Sequence, residues 1–248
     1  MSTLEPLMSA RGARAVRKRQ RANGSSGVER ENSRHDRAWD IVKKSPMIPQ
    51  GITTLNAASP YSLGILAGGR GRRWGGRDKG LLCLDGTPLI DHVIRHRSSA
   101  AAEVLVCCRA NARLYQHYAD TVLCDVQPDQ GPCHGIVALL SAAAHSSLLV
   151  LPTDLVGNPK AVLETLEAAW RPEDQALMLT DPEGRHSACL RISTDQLGAS
   201  CDFIDRGGKK LIDLMEQLEA RRVSVSAEWL RDADTPEQFA MPAAEPRA

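Results

Sequence analysis

Several things are scarce or missing in this chain. It holds two Phe, three Tyr and four Trp among 248 residues, so aliphatic side chains must build most of any core. No run of about 18 apolar residues occurs, which excludes a membrane-spanning helix of the usual kind. Seven cysteines stand singly or as the pair Cys107-Cys108, never as C-x-x-C. An odd, scattered set reads as reduced thiols in a cytoplasmic protein rather than as disulfides or zinc ligands. No Ser/His/Asp or Cys/His arrangement stands out. His92 and His96, one helical turn apart, read as surface residues.

Charge of one sign is missing from the bulk of the chain. Residues 1–60 carry eleven Lys/Arg and five Asp/Glu, a net of +6, and the remainder carries 20 against 25, a net of −5. A nucleic-acid-binding core would be basic. The positive charge belongs to residues 1–59, which lack hydrophobic periodicity and are expected to form a disordered basic extension. This segment has no apolar core of a secretory signal. Being Arg-rich and acid-poor between Glu5 and Glu29, it reads as an organelle transit peptide, as a nucleic-acid or membrane arm, or as an upstream start with Met47 the true one.

What is present begins with an apolar run, Tyr61-Ser-Leu-Gly-Ile-Leu66, that reads as a buried strand. Leu66-Ala-Gly-Gly-Arg-Gly-Arg-Arg-Trp-Gly-Gly-Arg-Asp-Lys-Gly80 follows it. Glycines let backbone N–H groups approach an anion, and Arg and Lys neutralise its charge. Such a loop at the carboxyl end of a strand is where open α/β sheets bind nucleotides. A P-loop is excluded because Lys79 lies between Asp78 and Gly80, without the preceding glycine and following hydroxyl that motif needs. A dinucleotide fingerprint is excluded because Trp74 takes its third glycine position. The density of positive charge suits a triphosphate whose leaving group is neutralised during reaction.

From Leu63 onward, strand and helix patterns alternate. This predicts an α/β fold: a three-layer, Rossmann-like, mostly parallel sheet with helices on both faces. Expected strands are Leu63–Leu66, Val104–Cys108, Val122–Leu123, Leu148–Leu151, Ala176–Leu179, Ala188–Ile192 and Arg222–Ser226. Expected helices are residues 87–97, with Thr87 as cap and Pro88 at the first position, then Gly135–Ala144, Pro159–Trp170 and Lys209–Ala220. One domain over residues 60–242 is expected, with a nucleotide-binding half (60–155) and an acceptor-binding half (156–242).

Asp154 closes the strand Leu148-Leu-Val-Leu-Pro-Thr. A carboxylate there, beside a glycine loop on a neighbouring strand, is well placed for Mg²⁺. The gap to Pro159 makes it a poor helix cap. Asp234 precedes Thr-Pro-Glu and reads, on sequence alone, as a helix cap. Lys79 and Arg73 are the candidates for phosphate contact. Arg70, Arg72 and Arg77 read as ordinary solvent-facing charges.

The order L-A-G-G-x-x-x-R-x-G-G-x-D-K-G closely resembles the molybdenum cofactor guanylyltransferases. So do Leu81-Leu-Cys-Leu-Asp-Gly-Thr-Pro-Leu-Ile-Asp-His-Val93, Gly131-Pro-Cys-His-Gly135 and Leu149-Val-Leu-Pro-Thr-Asp154. The resemblance covers residues 60 to 155 well and the rest weakly, and it favours Met47 as the true start. It implies transfer of GMP from GTP to the terminal phosphate of molybdenum-molybdopterin, with release of pyrophosphate. It implies Arg73, Lys79 and Asp154 as catalytic residues. Leu66, Ala67, Gly68, Gly69, Lys79, Cys107, Asp125, Pro132, Gly135 and Asp154 would bind the nucleotide. Asp154 and Asp234, with Asp232 an alternative to the latter, would hold Mg²⁺. His134 is expected to face solvent. Trp74 stands where the family usually has Met, and Cys107 where it often has Asn. The implied partners are GTP, molybdenum-molybdopterin, and molybdoenzymes or their chaperones, for a cytoplasmic monomer with neither nucleic acid nor membrane. A cytidylyl or sugar-phosphate nucleotidyltransferase, or a non-catalytic nucleotide-binding partner of molybdoenzyme maturation, are the alternatives.

Overall fold

The structure is a computed structural model that describes residues 59–68, 77–124 and 131–233. Nine strands lie among them. β1 (Tyr61–Ala67), β4 (Ala101–Cys108), β5 (Thr121–Cys124), β6 (Ser147–Pro152), β7 (Ala176–Thr180), β8 (His186–Ser193) and β9 (Arg221–Ser224) form a seven-stranded sheet. Its order is β5-β4-β1-β6-β8-β7-β9. All pairs are parallel except those of β8, which runs antiparallel to both β6 and β7. Every strand expected from the sequence is present, most of them a residue or two longer at one end or both. The last, expected over Arg222–Ser226, spans Arg221–Ser224.

Alternation along each strand builds two apolar faces. Leu63 and Ile65 of β1, Val104 and Val106 of β4, and Leu149 and Leu151 of β6 belong to one buried cluster. Leu105, Cys107, Leu148 and Val150 belong to the other. A side chain fully buried in this way stabilises by about 1.5–3 kcal/mol, so a one-residue slip of any central strand is strongly disfavoured. Gly64 breaks the alternation for a reason. A Cβ there would stand 2.9 Å from Leu148 and 3.1 Å from Leu139.

Helices cover both faces. α1 (Leu89–Ile94) and α4 (Pro159–Ala169) bury Ile90, Val93, Val162, Leu163 and Leu166 in the first cluster. α3 (Pro132–Ala142), α5 (Leu197–Asp205) and α6 (Leu211–Gln217) cover the second. The short α2 (Ala112–Tyr115) follows β4. α3 starts where Gly131, at φ 82°, turns the chain and Pro132 supplies a preset first residue. α4 starts the same way at Pro159, with Asn158 accepting from Ala161 N–H at 3.0 Å.

The first expected helix is shorter than its pattern. Asp85 and Gly86 both take positive φ (49° and 79°), which suits a tight hairpin turn. They pair β2 (Cys83–Leu84) with β3 (Thr87–Pro88). Thr87 is therefore a strand residue and Pro88 stands at the cap position. Lys209 and Lys210 likewise precede α6 rather than begin it. α5 was not expected at all; Gly198 and Ser200 weaken its pattern.

Among the described residues no helix is long and apolar enough to cross a membrane. The seven cysteines are all thiols. Burial pushes Cys108 up to about 12 and Cys133 up to about 11, so neither is a thiolate at neutral pH. Arg191, 4% exposed, is stacked between the rings of Tyr61 and Trp170, 4.8 Å from each. It donates to Ser147 Oγ at 3.0 and 2.9 Å, and burial lowers its pKa to about 10.

Candidate nucleotide site

The chain leaves β1 toward one edge with β4 and β5, then crosses back to place β6 on the other side of β1. That reversal makes the carboxyl ends of β1 and β6 a topological switch point, where open α/β sheets hold ligands. A cleft of about 230 Å³ opens there. Ala67 and Gly68 line it from the end of β1, Arg109, Ala110 and Asn111 from the end of β4, and Thr153 and Asp154 from the end of β6. The segment Arg77–Gly80 closes the ring.

Lys79 and Asp154 meet in this cleft. Their Nζ and Oδ2 are 2.9 Å apart, with the side chains 20% and 22% exposed. Lys79 opens a short 3₁₀ turn, Lys79–Leu81, capped by Asp78, whose carboxylate accepts from Gly80 N–H at 3.2 Å. Gly80 must be glycine, because a Cβ would fall 2.5 Å from Tyr115 Oη and 3.1 Å from Thr153 Cγ2. Thr153 is fixed in turn, its N–H donating to Leu66 O at 3.1 Å.

Asp154 is held from below by the carboxyl-terminal segment. Ala233 N–H donates to its carbonyl at 2.8 Å, and Val156 and Gly157 N–H both donate to Arg231 O at 2.9 and 3.0 Å. Leu155 and Asp232 form an antiparallel bridge. Capping of α4 belongs to Asn158, so Asp154 is available for other work. Asp232 accepts from Ser187 Oγ at 3.4 Å on each oxygen. Both Asp154 and Asp232 act electrostatically on Cys189, whose thiol is raised first by burial and then by these carboxylates. Asp154 and Asp232 therefore share one neighbourhood. Among the described residues no cluster of three or more His, Cys, Asp or Glu is placed to hold a metal. One or two carboxylates with the remaining positions left to substrate phosphates is the ordinary arrangement for Mg²⁺, and Asp154 fits it.

The structure separates the remaining expected residues. Ala67 and Gly68 line the cleft, but Leu66, Cys107, Pro132 and Gly135 do not. Three of these lie together on the other face of the sheet. A Cβ on Gly135 would meet Leu66 Cδ2 at 2.8 Å and Cys107 Sγ at 3.6 Å. Cys107 is 2% exposed. The segment expected as a loop from Gly131 to Gly135 is the first turn of α3 from Pro132 onward. His134, expected to face solvent, is half-buried there. Gly69, Arg73, Trp74, Asp125 and Asp234 lie outside the described residues.

Sequence reasoning passed over Arg109, Asn111 and Thr153; Arg77, which it allowed as a solvent-facing charge, is exposed and also lines the cleft. Their signal was positional. Arg109 and Asn111 come directly after β4, at the carboxyl edge where such sheets bind ligands.

The family profile of the MobA-like NTP transferase domain matches residues 63–223. The chain belongs to the MobA-like NTP transferases. The molybdenum cofactor guanylyltransferase of Pseudomonas aeruginosa PAO1 is 45% identical to this MobA-like chain over 126 residues, 50% of this chain and 64% of that one. The protein of the same name from Pseudomonas putida GB-1 is 37% identical over 129 residues, 52% of this chain and 68% of that one. The chain thus spans a little under two thirds of the length of the first of these relatives. A molybdopterin-guanine dinucleotide biosynthesis protein A from Archaeoglobus fulgidus superposes with a TM-score of 0.59 at 22% identity, over 72% of this chain and 94% of that one. A 2-C-methyl-D-erythritol 4-phosphate cytidylyltransferase from Thermus thermophilus superposes at 0.53 and 20% identity, over 73% and 95%. These likenesses show the MobA-like chain to have the nucleotidyltransferase fold.

Proposed function

We propose that this chain is a Mg²⁺-dependent guanylyltransferase that transfers GMP from GTP to the terminal phosphate of molybdenum-molybdopterin. The observation that carries the reading is the Lys79–Asp154 pair, 2.9 Å across the cleft at the switch point, in a chain of this family. An oxygen of the acceptor phosphate attacks the α-phosphorus of GTP. The bond from the α-phosphorus to the bridging oxygen breaks, and that oxygen departs with pyrophosphate. A phosphate monoester is already anionic at neutral pH, so no general base is required. Positioning and charge neutralisation carry the acceleration.

Each residue then has a task. The backbone of Leu66–Gly69 lies along the phosphates. Lys79 exchanges Asp154 for the triphosphate, with Arg73 as the second cation and Arg77 and Arg109 at the rim. Asp154 and Asp234 hold Mg²⁺, which when bound supplies charge neutralisation on the phosphates. Asp125 and the exposed Pro132 are given the base side, while Cys107 and Gly135, buried against Leu66, back it without touching the nucleotide. Residues 60–242 make up the catalytic domain, and residues 1–59 are an extension. A cytoplasmic monomer that hands its product to molybdoenzymes or their chaperones completes the proposal.

Pyrophosphate release with GTP, Mg²⁺ and molybdenum-molybdopterin tests it. Release that depends on all three is expected. Release with CTP but not with GTP would overturn the guanine assignment. Tight GTP binding with no release would reduce the chain to a nucleotide-binding partner.

A further inference from the structure

The carboxylate of Asp78, immediately before Lys79, accepts from three donors. Oδ1 takes Gly80 N–H at 3.2 Å and Tyr115 Oη at 2.5 Å, and Oδ2 takes Asn111 Nδ2 at 3.1 Å. The first of these makes the turn that carries Lys79. The other two come from the segment after β4, more than thirty residues away in the chain. Tyr115 is fully buried. Burial first, and then the bond to Asp78, push its phenol far above the usual range, so it donates at every working pH. Its oxygen also fills the space behind Gly80, where a Cβ would come within 2.5 Å. Asn111 sits at φ 59°, a left-handed conformation that Asn adopts more readily than most residues.

A lysine side chain is flexible; Asp154 holds the Lys79 ammonium at its tip, and the fixed backbone turn beneath limits where that ammonium can reach once Asp154 lets go. We infer that Tyr115, with Asn111 in support, is a positioning residue that acts through Asp78 to hold Lys79 over the phosphate cleft. Its consequence for turnover rests on the guanylyltransferase reading, while its geometry does not.

Competitive acetylation of the full chain with acetic anhydride, read by mass spectrometry, tests the geometry. Lys160, 64% exposed, is the internal reference. In the wild type Lys79 reacts more slowly than Lys160. Tyr115→Phe raises the ratio several-fold, and Asn111→Gly, which keeps the left-handed backbone, raises it less. An unchanged ratio in both variants overturns the inference. Should Tyr115→Phe not fold, as judged by circular dichroism, the Asn111→Gly ratio alone decides. In turnover, Tyr115→Phe lowers kcat/KM for GTP by about tenfold, the loss expected for one hydrogen bond to a charged group. Added to Lys79→Ala, it lowers kcat/KM no further. A second loss of the same size in that background would mark a purely structural role and overturn the inference. A wild type without turnover but with the acetylation contrast intact would sink the guanylyltransferase reading and leave the positioning role standing.

Discussion

Lys79 and Asp154 are each about one-fifth exposed, and an ion pair so placed stabilises a fold by at most about 1 kcal/mol. Lys79→Ala should therefore leave the melting temperature nearly unchanged. Its effect should appear in catalysis, as a loss of roughly 100-fold or more in kcat/KM for GTP, the scale for removing a group that stabilises transition-state charge. Parallel thermal melts and pyrophosphate assays separate the two. A large drop in melting temperature with little loss of rate would assign the lysine to structure. Gly80 tests the neighbouring position from the opposite direction. Gly80→Ala forces a Cβ against Tyr115 Oη and Thr153, and overpacking of this kind costs about 1–3 kcal/mol. Denaturant unfolding should show that cost together with lost nucleotide binding. The sequence showed Lys79 and Asp154 as candidates because each has a recognisable setting, a glycine-rich loop and a strand end. It did not show Tyr115 behind Gly80, because contacts across more than thirty residues leave no local pattern.

Elements were legible wherever one physical signal decided them. Short apolar runs marked the strands, and Pro159 marked a helix start. The misreadings came where a second effect took over, as at Asp85-Gly86, whose turn draws Thr87 and Pro88 into a hairpin. β9 is tied to its neighbours by another feature no local pattern announces. Arg221 grips Asp174 with Nε on Oδ1 at 2.9 Å and Nη2 on Oδ2 at 2.5 Å, and also donates to Ala169 O. That hydrogen bond from Arg221 holds the Asp174 carboxyl below its usual range. A carboxyl depressed in the native state adds stability that is complete above its unfolded pKa of about 3.9 and is lost as the pH falls through the native value. Arg221→Met should cost about 2 kcal/mol near neutral pH, and the part of that cost owed to Asp174 should be lost as the pH falls through the lowered native value of its carboxyl. Urea titrations across that range measure it. A penalty that stays constant across that range would mean the arginine acts through Ala169 O and packing rather than through Asp174. Gly157 marks the contact that supports Asp154. A Cβ there would fall 2.2 Å from Glu228 O and 2.4 Å from Trp229 O. Backbone carbonyls yield less readily than side chains, so Gly157→Ala should destabilise by about 3 kcal/mol and weaken Mg²⁺-dependent nucleotide binding.

At the scale of the molecule, fold class was readable because alternating strands and helices admit few architectures. The strand order was not, because β8 inserts between β6 and β7 with reversed direction. That insertion leaves the switch point between β1 and β6 intact and brings Ser187 of β8 to Asp232. The charge imbalance also belongs to this scale. In sequence, residues 1–60 carry the net +6 and the remainder the net −5; removing residues 1–46 should leave kcat/KM for GTP within about twofold, as expected when no reacting group is touched. A large loss on that truncation would bring the extension into the site. The central claim is that the cleft holding Lys79 and Asp154 transfers a guanylyl group. The most direct test is pyrophosphate release by the full chain with molybdenum-molybdopterin and Mg²⁺, supplied in turn with GTP, CTP and ATP. The account predicts release with GTP that Lys79→Ala and Asp154→Asn each cut by roughly 100-fold or more; release that neither substitution slows, or that appears only with another nucleotide, would contradict it.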